Sequence, residues 1–244
     1  MEILVFVKRL HEECINHTNH ITFDKTHPRH LHLVGLYGTL IEFTGCILKL
    51  IESKLRTGIA PIFRSFFEAY IELRNLHENA NYGYHMDASY HEQWLKLLNE
   101  AKNTPNPFLK DFSEFEGLDA QIAVHETALK ELIDKGYKPL NIFQRFKRAG
   151  MIDEYRSIYN FLSNDTHSNI GALVDRHLEV SGDDFKVVYY KDEPITSFLP
   201  TLDSIAGFLI DASFRIHNFF ETTISIDHFE DLSRTLTKIR ENYS

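Results

Sequence analysis

The sequence has few of the residues that interrupt helices or cross-link a chain. Among its 244 residues, 11 are glycine, 7 are proline and 2 are cysteine. A fold rich in β turns needs more glycine and proline than this, and a disulfide-rich fold needs more cysteine. Long helices are therefore favoured. We expect Cys14 and Cys46 to be small buried hydrophobic residues, because both lie in apolar patterns.

Long apolar runs without charge are also missing. The first ten residues, MEILVFVKRL, include an acidic residue at position 2 and no signal-peptide cleavage site. The most apolar later stretch, Ser197 to Phe220, contains three charged residues: Asp203, Asp211 and Arg215. A lipid-spanning helix rarely tolerates three charges. We therefore predict a buried core helix there, a cytoplasmic location and no membrane partner.

The charge is mainly of one sign, with a formal net charge of −9 at neutral pH. A surface of this sign repels the phosphates of nucleic acids, which excludes general DNA binding as a function. An enzyme that acts on RNA would need its basic residues concentrated in one cleft.

The common signatures of phosphate binding, serine hydrolysis and zinc hydrolysis are missing. There is no glycine-rich phosphate loop and no Gly-x-Ser-x-Gly turn. The His-Glu pairs at 11–12, 91–92 and 125–126 lack the second histidine of a zincin. Of the 14 histidines, six lie early in the chain and mostly straddle a loop: His11, His17, His20, His27, His30 and His32. We expect these to be solvated or core residues, and we predict no metal and no cofactor.

Apolar residues recur at helical spacing along most of the chain, which predicts an all-α bundle of about eight to ten helices. The helix that opens at Pro61 is apolar over most of its circumference and should therefore lie centrally. A small β-hairpin insertion is predicted at about 177–191, where HLEV and FKVVYY flank a short turn. Residues 1–244 are predicted to form a single helical domain. The other helices are predicted at 2–16, 28–55, 87–102, 118–135, 142–148, 153–164, 200–220 and 229–241.

The central helix carries a polar stripe on an otherwise apolar surface. At 100° per residue, Arg64, Glu68, Glu72 and Asn75 fall within about an 80° sector. Two interpretations stay open. One is an exposed ion pair between Arg64 and Glu68, which contributes about 0.2–0.5 kcal/mol. The other is a partly buried pair that faces a functional cleft, since burial of charge is costly.

A second polar stripe lies on a later helix. Arg156, Asn160, Ser163 and His167 fall within about 60° of one another, with Tyr159 at the boundary. Apolar residues, Phe161 among them, are predicted on the opposite side of this helix. A histidine one turn beyond a serine can act as a general acid or base, and a helix C-terminus favours its imidazolium form. The alternative is a helix that exposes its polar side and ends in an Asn-Asp-Thr-His turn.

These two helices resemble an uncharacterised bacterial family, a domain of unknown function. Its pattern is an Arg-x-x-x-Glu helix followed, about ninety residues later, by a Tyr-x-x-x-Ser-x-x-x-His helix. The matching positions here are Arg64, Glu68, Tyr159, Ser163 and His167. The resemblance spans most of the chain and implies membership of that family, without implying an activity.

The arrangement is also similar to the HEPN group of helical proteins. Active members of that group are metal-independent ribonucleases in toxin and phage-defence systems, and they use an arginine with a histidine four to six residues further on. No arginine of this sequence has a histidine at that spacing. The similarity implies a ribonuclease effector. Because the family's spacing is missing, Arg64 of the central helix and His167 of the later helix would form a composite site, which is a different solution to similar chemistry.

RNA cleavage without a metal needs a base for the 2′-hydroxyl, an acid for the leaving 5′-oxygen and a cation for the phosphorane. In this interpretation His167 is the base or acid, Arg64 stabilises charge and Glu68 orients Arg64. Ser163 or Tyr159 donates a hydrogen bond. The candidate catalytic residues are Arg64, Glu68, Ser163 and His167, and the candidate binding residues are Tyr159, Arg156 and Asn160.

Two other functions stay open. A non-catalytic protein-interaction module, acting as a homodimer or with a partner protein, would use both stripes as a buried polar network that fixes helix register. A protein that binds a small anionic ligand or nucleotide would hold it through Arg64 and His167.

Overall fold

The chain is helical almost throughout. A computed structural model describes four segments: residues 2–166, 169–182, 184–191 and 193–242. The structure is 78% helical, and within these segments the strands form one small antiparallel pair. The predicted all-α class with a small β-hairpin is therefore confirmed. The chain divides into two compact units: a large unit of residues 1–77 and 146–244, and a small unit of residues 78–145.

The helices and strands follow one another with short connections. The helices are α1 (Glu2–Thr18), α2 (Pro28–Glu52), α3 (Ile59–Glu78), α4 (Tyr82–Asn103), α5 (Lys110–Ser113), α6 (Leu118–Asp134), α7 (Ile142–Arg148), α8 (Ile152–Glu154), α9 (Asn160–Thr166), α10 (Ile170–His177), α11 (Leu199–Phe219) and α12 (Thr223–Glu241). The strands are β1 (Leu178–Ser181) and β2 (Asp184–Val187), and Tyr155–Tyr159 forms a π-helical turn between α8 and α9.

Two helices begin earlier than the sequence predicts. α4 begins at Tyr82 and α12 at Thr223, several residues before the apolar periodicity becomes regular. Before α4, the side chain of Asn79 accepts a hydrogen bond from the backbone of Asn81 and closes the entry turn. In the first turn of α12 the buried residue is Ser225. Because serine is polar, the apolar pattern of the sequence does not indicate that the helix begins here.

α3 lies at the centre of the large unit, as predicted. Its consecutive residues Phe66 and Phe67 are both fully buried, so the helix packs against neighbours on two sides. The ring of Phe67 stacks on Phe208 of α11 at 4.9 Å and meets Phe146 of α7 edge-on at 5.1 Å. Burying each such ring stabilises the fold by about 1.5–3 kcal/mol. A central helix of this kind is a rigid base for any polar residue that it carries.

Among the residues that the structure describes, two segments of the large unit are long and apolar enough to cross a membrane by length and composition. They are α2 and Ile195–Phe219, which ends with α11. Both segments bury apolar side chains inside the unit. Buried core helices can have the same length and apolar composition as a membrane-spanning helix. This is weak evidence for a membrane span, and the cytoplasmic location stays a prediction.

The two cysteines differ in exposure. Cys14 is fully buried, and its thiol lies 3.4 Å from the hydroxyl of Ser213. Cys46 is exposed, so the prediction that it is buried is wrong. It lies on α2, whose apolar residues extend around more of the helix than the large unit covers. Both cysteines are free thiols.

The β-hairpin is shorter than its sequence pattern. β1 and β2 pair antiparallel, with Leu178 opposite Val187 and Ser181 opposite Asp184. The predicted second strand continued to Tyr190, but that residue has a φ of +54°, which no strand accommodates. β2 therefore ends at Val187.

The small unit has its own buried cluster. Leu98 of α4 packs with Leu118 and Ile122 of α6, and Trp94 covers this cluster from one side. The ring of Trp94 also stacks on His125 at 5.8 Å. The unit is thus built mainly on the pairing of α4 with α6.

Candidate functional site

Three of the predicted site residues form one hydrogen-bonded network in the large unit. Arg64 donates through Nε to Glu68 Oε1 at 3.0 Å and through a terminal nitrogen to the hydroxyl of Tyr159 at 2.9 Å. The Tyr159 hydroxyl in turn donates to the same Glu68 oxygen at 2.8 Å. The guanidinium also lies over the Tyr159 ring, 5.1 Å from its centroid. We call Arg64, Glu68 and Tyr159 the Arg–Glu–Tyr triad.

The position of the triad follows from the elements that carry it. Arg64 and Glu68 are one turn apart on the central helix α3, between phenylalanines that fix the rotation of that helix. Tyr159 ends the π-helical turn, where its ring packs against Phe146 at 5.0 Å and stacks with Tyr155 at 5.5 Å. Aromatic packing thus presents the phenol to the charged pair.

The environment of the triad changes the acidity of its members. Burial, together with the hydrogen bond and the negative charge of Glu68, raises the pKa of Tyr159 to about 12. Partial burial opposes the charge of Arg64, but its bonds to Tyr159 and Glu68 outweigh this and raise its pKa above the usual value. At neutral pH the triad therefore contains a neutral phenol and a permanent cation.

The triad is neither fully exposed nor fully buried. The side chains of Arg64 and Glu68 are 23% and 37% exposed, whereas Tyr159 is only 4% exposed. An exposed pair one turn apart would contribute little to stability. Here the phenol and the ring packing hold both charges in one geometry, which favours the second interpretation of this stripe.

The turn that carries Tyr159 has an unusual backbone. Residues Tyr155–Tyr159 are π-helical, which places one additional residue in the turn. Such turns are rare and occur frequently at functional sites, because they rotate the following residues relative to a regular helix. Regular helical spacing therefore predicts the side-chain directions of the second polar stripe incorrectly. Phe161 was expected on the apolar side of the helix, and it is 73% exposed.

The other predicted site residues do not join the triad within the described part of the chain. Arg156 and Asn160 are exposed, and the Asn160 side chain donates to the backbone oxygen of Arg156. Ser163 is half-buried on α9, one turn after Tyr159. His167 lies outside the described residues.

A buried ion pair that the sequence did not indicate holds the end of α9. Arg176 of α10 is 7% exposed and donates to Asp165, both to its backbone oxygen at 2.5 Å and to its carboxylate at 2.8 Å. A buried arginine without a partner would be strongly unfavourable, so the pair fixes α10 against α9. The same α10 is held to the segment before α3 by an ion pair between Arg56 and Asp175.

The remaining residues of the central stripe are partly used for packing. Asn75 is buried at 4% exposure, and Glu72 is half-buried.

A separate network that the sequence did not indicate joins α3 to α11. Tyr70 donates to Asp211 at 2.7 Å, and Arg215 donates to the same carboxylate at 2.5 Å. We call this the Tyr–Asp–Arg network.

Within the described segments, one group of side chains has the donors and spacing to hold a metal ion. Glu13, His17 and His228 place three ligand atoms within 4.8 Å of one another. Only His17 belongs to the early histidines of the sequence, and the other early histidines are absent from this group. The partner His228 comes from the far end of the chain, so local spacing gives no signal for it.

Comparison with known proteins identifies the family but no activity. The sequence model of DUF5677, a family of unknown function, matches residues 30–186. This region contains both polar stripes and the whole triad. No curated protein and no solved structure matches the chain significantly.

Proposed function

The chain belongs to DUF5677, a family of unknown function, and we propose that it is a HEPN-like, metal-independent ribonuclease that acts as an effector of a bacterial defence or toxin system. The observation that carries the proposal is the contact of Arg64 and Glu68 on α3 with Tyr159 of the π-helical turn. It combines a cation, a carboxylate and a phenol in one partly exposed group. Such a group can bind a phosphate and support proton transfer.

Arg64 is suited to stabilise the charge that develops on phosphorus. Its guanidinium stays charged at any physiological pH, and its Nε edge is held in a fixed plane by Glu68 and Tyr159. A planar guanidinium can bind two oxygens of one phosphate, which a lysine cannot do. Orientation before the reaction means that less rearrangement is needed when charge develops.

The proposed reaction balances because the proton that leaves the 2′-hydroxyl is matched by a proton that the leaving 5′-oxygen receives; His167 carries one of these transfers and water the other. A base removes the proton of the 2′-hydroxyl, and the resulting oxygen forms a bond to phosphorus. The bond from phosphorus to the 5′-oxygen breaks, and that oxygen receives a proton, which leaves a 2′,3′-cyclic phosphate and a 5′-hydroxyl. His167, two turns of sequence beyond Tyr159, is the proposed base or acid, and Ser163 is a proposed hydrogen-bond donor.

Basic residues next to the triad support an RNA-binding surface. Lys147 and Arg148 are exposed and directly follow Phe146, whose ring packs on Tyr159. Arg156 is exposed within the π-helical turn. These three cations lie within a few residues of Phe146 or Tyr159 in sequence, although the chain as a whole carries a net charge of −9. RNA binding by an acidic protein requires a local basic surface, and we propose that these cations provide it.

The second candidate function is a non-catalytic interaction module. It is favoured by the near-complete burial of Tyr159, whose hydroxyl already has partners in Arg64 and Glu68. In that case the triad fixes the register of the π-helical turn on α3 and contributes to stability rather than to catalysis.

An RNA cleavage assay distinguishes the two functions. Purified protein would be incubated with total RNA in EDTA, beside Arg64→Ala, Arg64→Lys, Glu68→Gln and His167→Ala. We expect cleavage by the wild type, and a loss of about 10²–10⁴-fold in the arginine and histidine variants, because each removes one catalytic role. Glu68→Gln should show an intermediate loss, because it weakens the orientation of Arg64 without removing its charge. Melting curves in EDTA would verify that each protein is folded.

The Tyr–Asp–Arg network provides a matched control. Tyr70→Phe removes a buried phenol that donates to a carboxylate beside an arginine, as Tyr159→Phe does. It should lower stability without lowering cleavage. Absence of cleavage by folded wild-type protein, together with stability losses above about 3 kcal/mol in the triad variants, would reject the ribonuclease and support the module.

A further inference from the structure

We propose that Glu13, His17 and His228 form a Zn²⁺ site that links α1 to α12 in the large unit. His228 Nε2 lies 3.2 Å from Glu13 Oε2, and His17 Nε2 lies 3.9 Å from the same oxygen. The two imidazole rings are nearly parallel, at 10°, with centroids 4.5 Å apart. Three potential ligand atoms therefore lie within 4.8 Å of one another on two helices, and the stacked rings must tilt for both in-plane lone pairs to reach one ion.

The strongest indication is an unsatisfied nitrogen. His228 Nε2 is buried and has no hydrogen-bond partner, although a carboxylate oxygen is close by, because the two are not aligned for a hydrogen bond. Buried polar atoms are almost always bonded. A cation placed between this nitrogen, Glu13 and His17 would accept a lone pair from each and satisfy all three.

The donor set indicates which cation. Two imidazole nitrogens and one carboxylate oxygen are a set that Zn²⁺ uses in sites with an open fourth position. Ligand atoms around tetrahedral zinc are about 3.3 Å apart. The separation of His228 Nε2 and Glu13 Oε2 already matches this, whereas His17 Nε2, at 3.9 Å from Glu13 Oε2, must move closer on binding. The side chains of Glu13 and His228 are 26% and 27% exposed, which leaves a route for the ion and for a water ligand.

A neighbouring hydroxyl orients one ligand. The buried Ser225 lies 2.8 Å from Nδ1 of His17 and 3.0 Å from Nδ1 of His20. With the Nδ1 proton of His17 donated to Ser225, the Nε2 lone pair points towards the site. Metal-binding histidines are typically held by such a second hydrogen bond. His217 is held in the same way, with its Nδ1 2.6 Å from the hydroxyl of Thr222, and its Nε2 is also buried without a partner, but it is not among the three residues whose ligand atoms lie close together.

The site lies outside the part of the chain that defines the family. α1 and α12 are both outside residues 30–186, so family membership gives no expectation of a metal here. The two helices come from opposite ends of the chain, and an ion held by both would join those ends. The proposal is independent of the proposed ribonuclease activity, which uses other residues.

Zinc binding by the whole protein is the direct test. Protein freed of metal by EDTA and dialysis would be titrated with ZnCl₂ by calorimetry, and its melting temperature followed with Zn²⁺ or Mg²⁺. We expect one Zn²⁺ per chain and a higher melting temperature with zinc only. Glu13→Gln, His17→Ala and His228→Ala should each weaken binding by at least about 100-fold, and Ser225→Ala by about 10- to 100-fold.

Two further variants make the result decisive. His91→Ala is the control, because His91 and His125 form a histidine pair in the small unit, with their Nδ1 atoms 2.8 Å apart; binding should not change. Should His228→Ala fail to fold, His228→Cys replaces one zinc ligand with another and should bind Co²⁺ with a thiolate-to-cobalt absorption band. Binding weaker than about 100 μM, binding that persists in both histidine variants, or no cobalt band would overturn the site.

Discussion

At the scale of single residues, the same chemical groups form two networks on α3. In the Tyr–Asp–Arg network, which joins α3 to α11, burial and the negative charge of Asp211 raise the pKa of Tyr70 far above its usual value. The charged side chains of both networks keep part of their surface in solvent: Arg64 and Glu68 are 23% and 37% exposed, and Arg215 and Asp211 are 15% and 39% exposed. The two networks therefore differ less in burial than in the elements that they join.

The stability contribution of Tyr159 should depend on pH in a defined direction. Its folded pKa of about 12 exceeds the unfolded value of about 10, so its contribution is complete below pH 10 and is lost as the pH rises towards 12. We expect Tyr159→Phe to lower the free energy of unfolding by about 1–3 kcal/mol at pH 8, because Glu68 and Arg64 lose a buried partner. The difference from wild type should shrink above pH 10.

Denaturant unfolding at pH 8, 9.5 and 10.5 would measure this difference. Comparing the wild type with the single variant cancels the titration of other buried tyrosines such as Tyr37, whose pKa burial also raises. A difference that stays constant over this range would show that the Tyr159 hydroxyl is not held by Glu68.

At the scale of elements, the geometry of the π-helical turn determines which of its side chains face α3. The additional residue in Tyr155–Tyr159 rotates α9, so Tyr159 faces α3 while Phe161 faces solvent. A regular helix would change the relative directions of these side chains. The aromatic cluster of Phe67, Phe146 and Tyr159 connects α3, α7 and the turn, and it is the apolar support of the triad.

Truncating the centre of that cluster should be costly. Phe67→Ala removes a fully buried ring that contacts Phe208 and Phe146, and the remaining cavity cannot close on a central helix. We expect a loss of about 3–5 kcal/mol in the free energy of unfolding. The exposed Phe161 is the matched control, and Phe161→Ala should change stability by less than about 0.5 kcal/mol. Equal effects of the two variants in denaturant melts would mean that α3 is not central.

At the scale of the whole molecule, charge distribution matters more than net charge. The chain is acidic overall, with a net charge of −9, yet the exposed residues Lys147, Arg148 and Arg156 lie close in sequence to Phe146 and Tyr159. Repulsion between RNA and the remaining surface would confine productive binding to this patch. The two zinc-ligand helices α1 and α12 are a separate part of the large unit with its own proposed chemistry.

Reversing the charge of the patch should weaken RNA binding without affecting the triad. The double variant Lys147→Glu, Arg148→Glu is expected to raise the KM for RNA about 10-fold or more and to make cleavage less sensitive to salt, because phosphate contacts release counterions. Arg234→Glu, Lys238→Glu makes the same charge change on the exposed face of α12. A KM that rises equally in both double variants, or in neither, would contradict the proposed surface.

The sequence by itself determined the helical class, most helices and the hairpin, because apolar spacing and turn residues are local signals. The family was indicated separately, by the resemblance at Arg64, Glu68, Tyr159, Ser163 and His167. It also selected Arg64, Glu68 and Tyr159, since a polar stripe on an apolar helix is visible without a fold. The single-domain assignment and the catalytic roles stay predictions.

Only the tertiary structure decided which distant residues meet. The π-helical turn changes the direction of Phe161, Cys46 lies on an uncovered part of α2, and Arg176 pairs with Asp165. The proposed zinc site needs His17 and His228, from opposite ends of the chain. Helices form through contacts three and four residues apart, so sequence spacing describes them, whereas packing between helices depends on three-dimensional positions that local spacing does not contain.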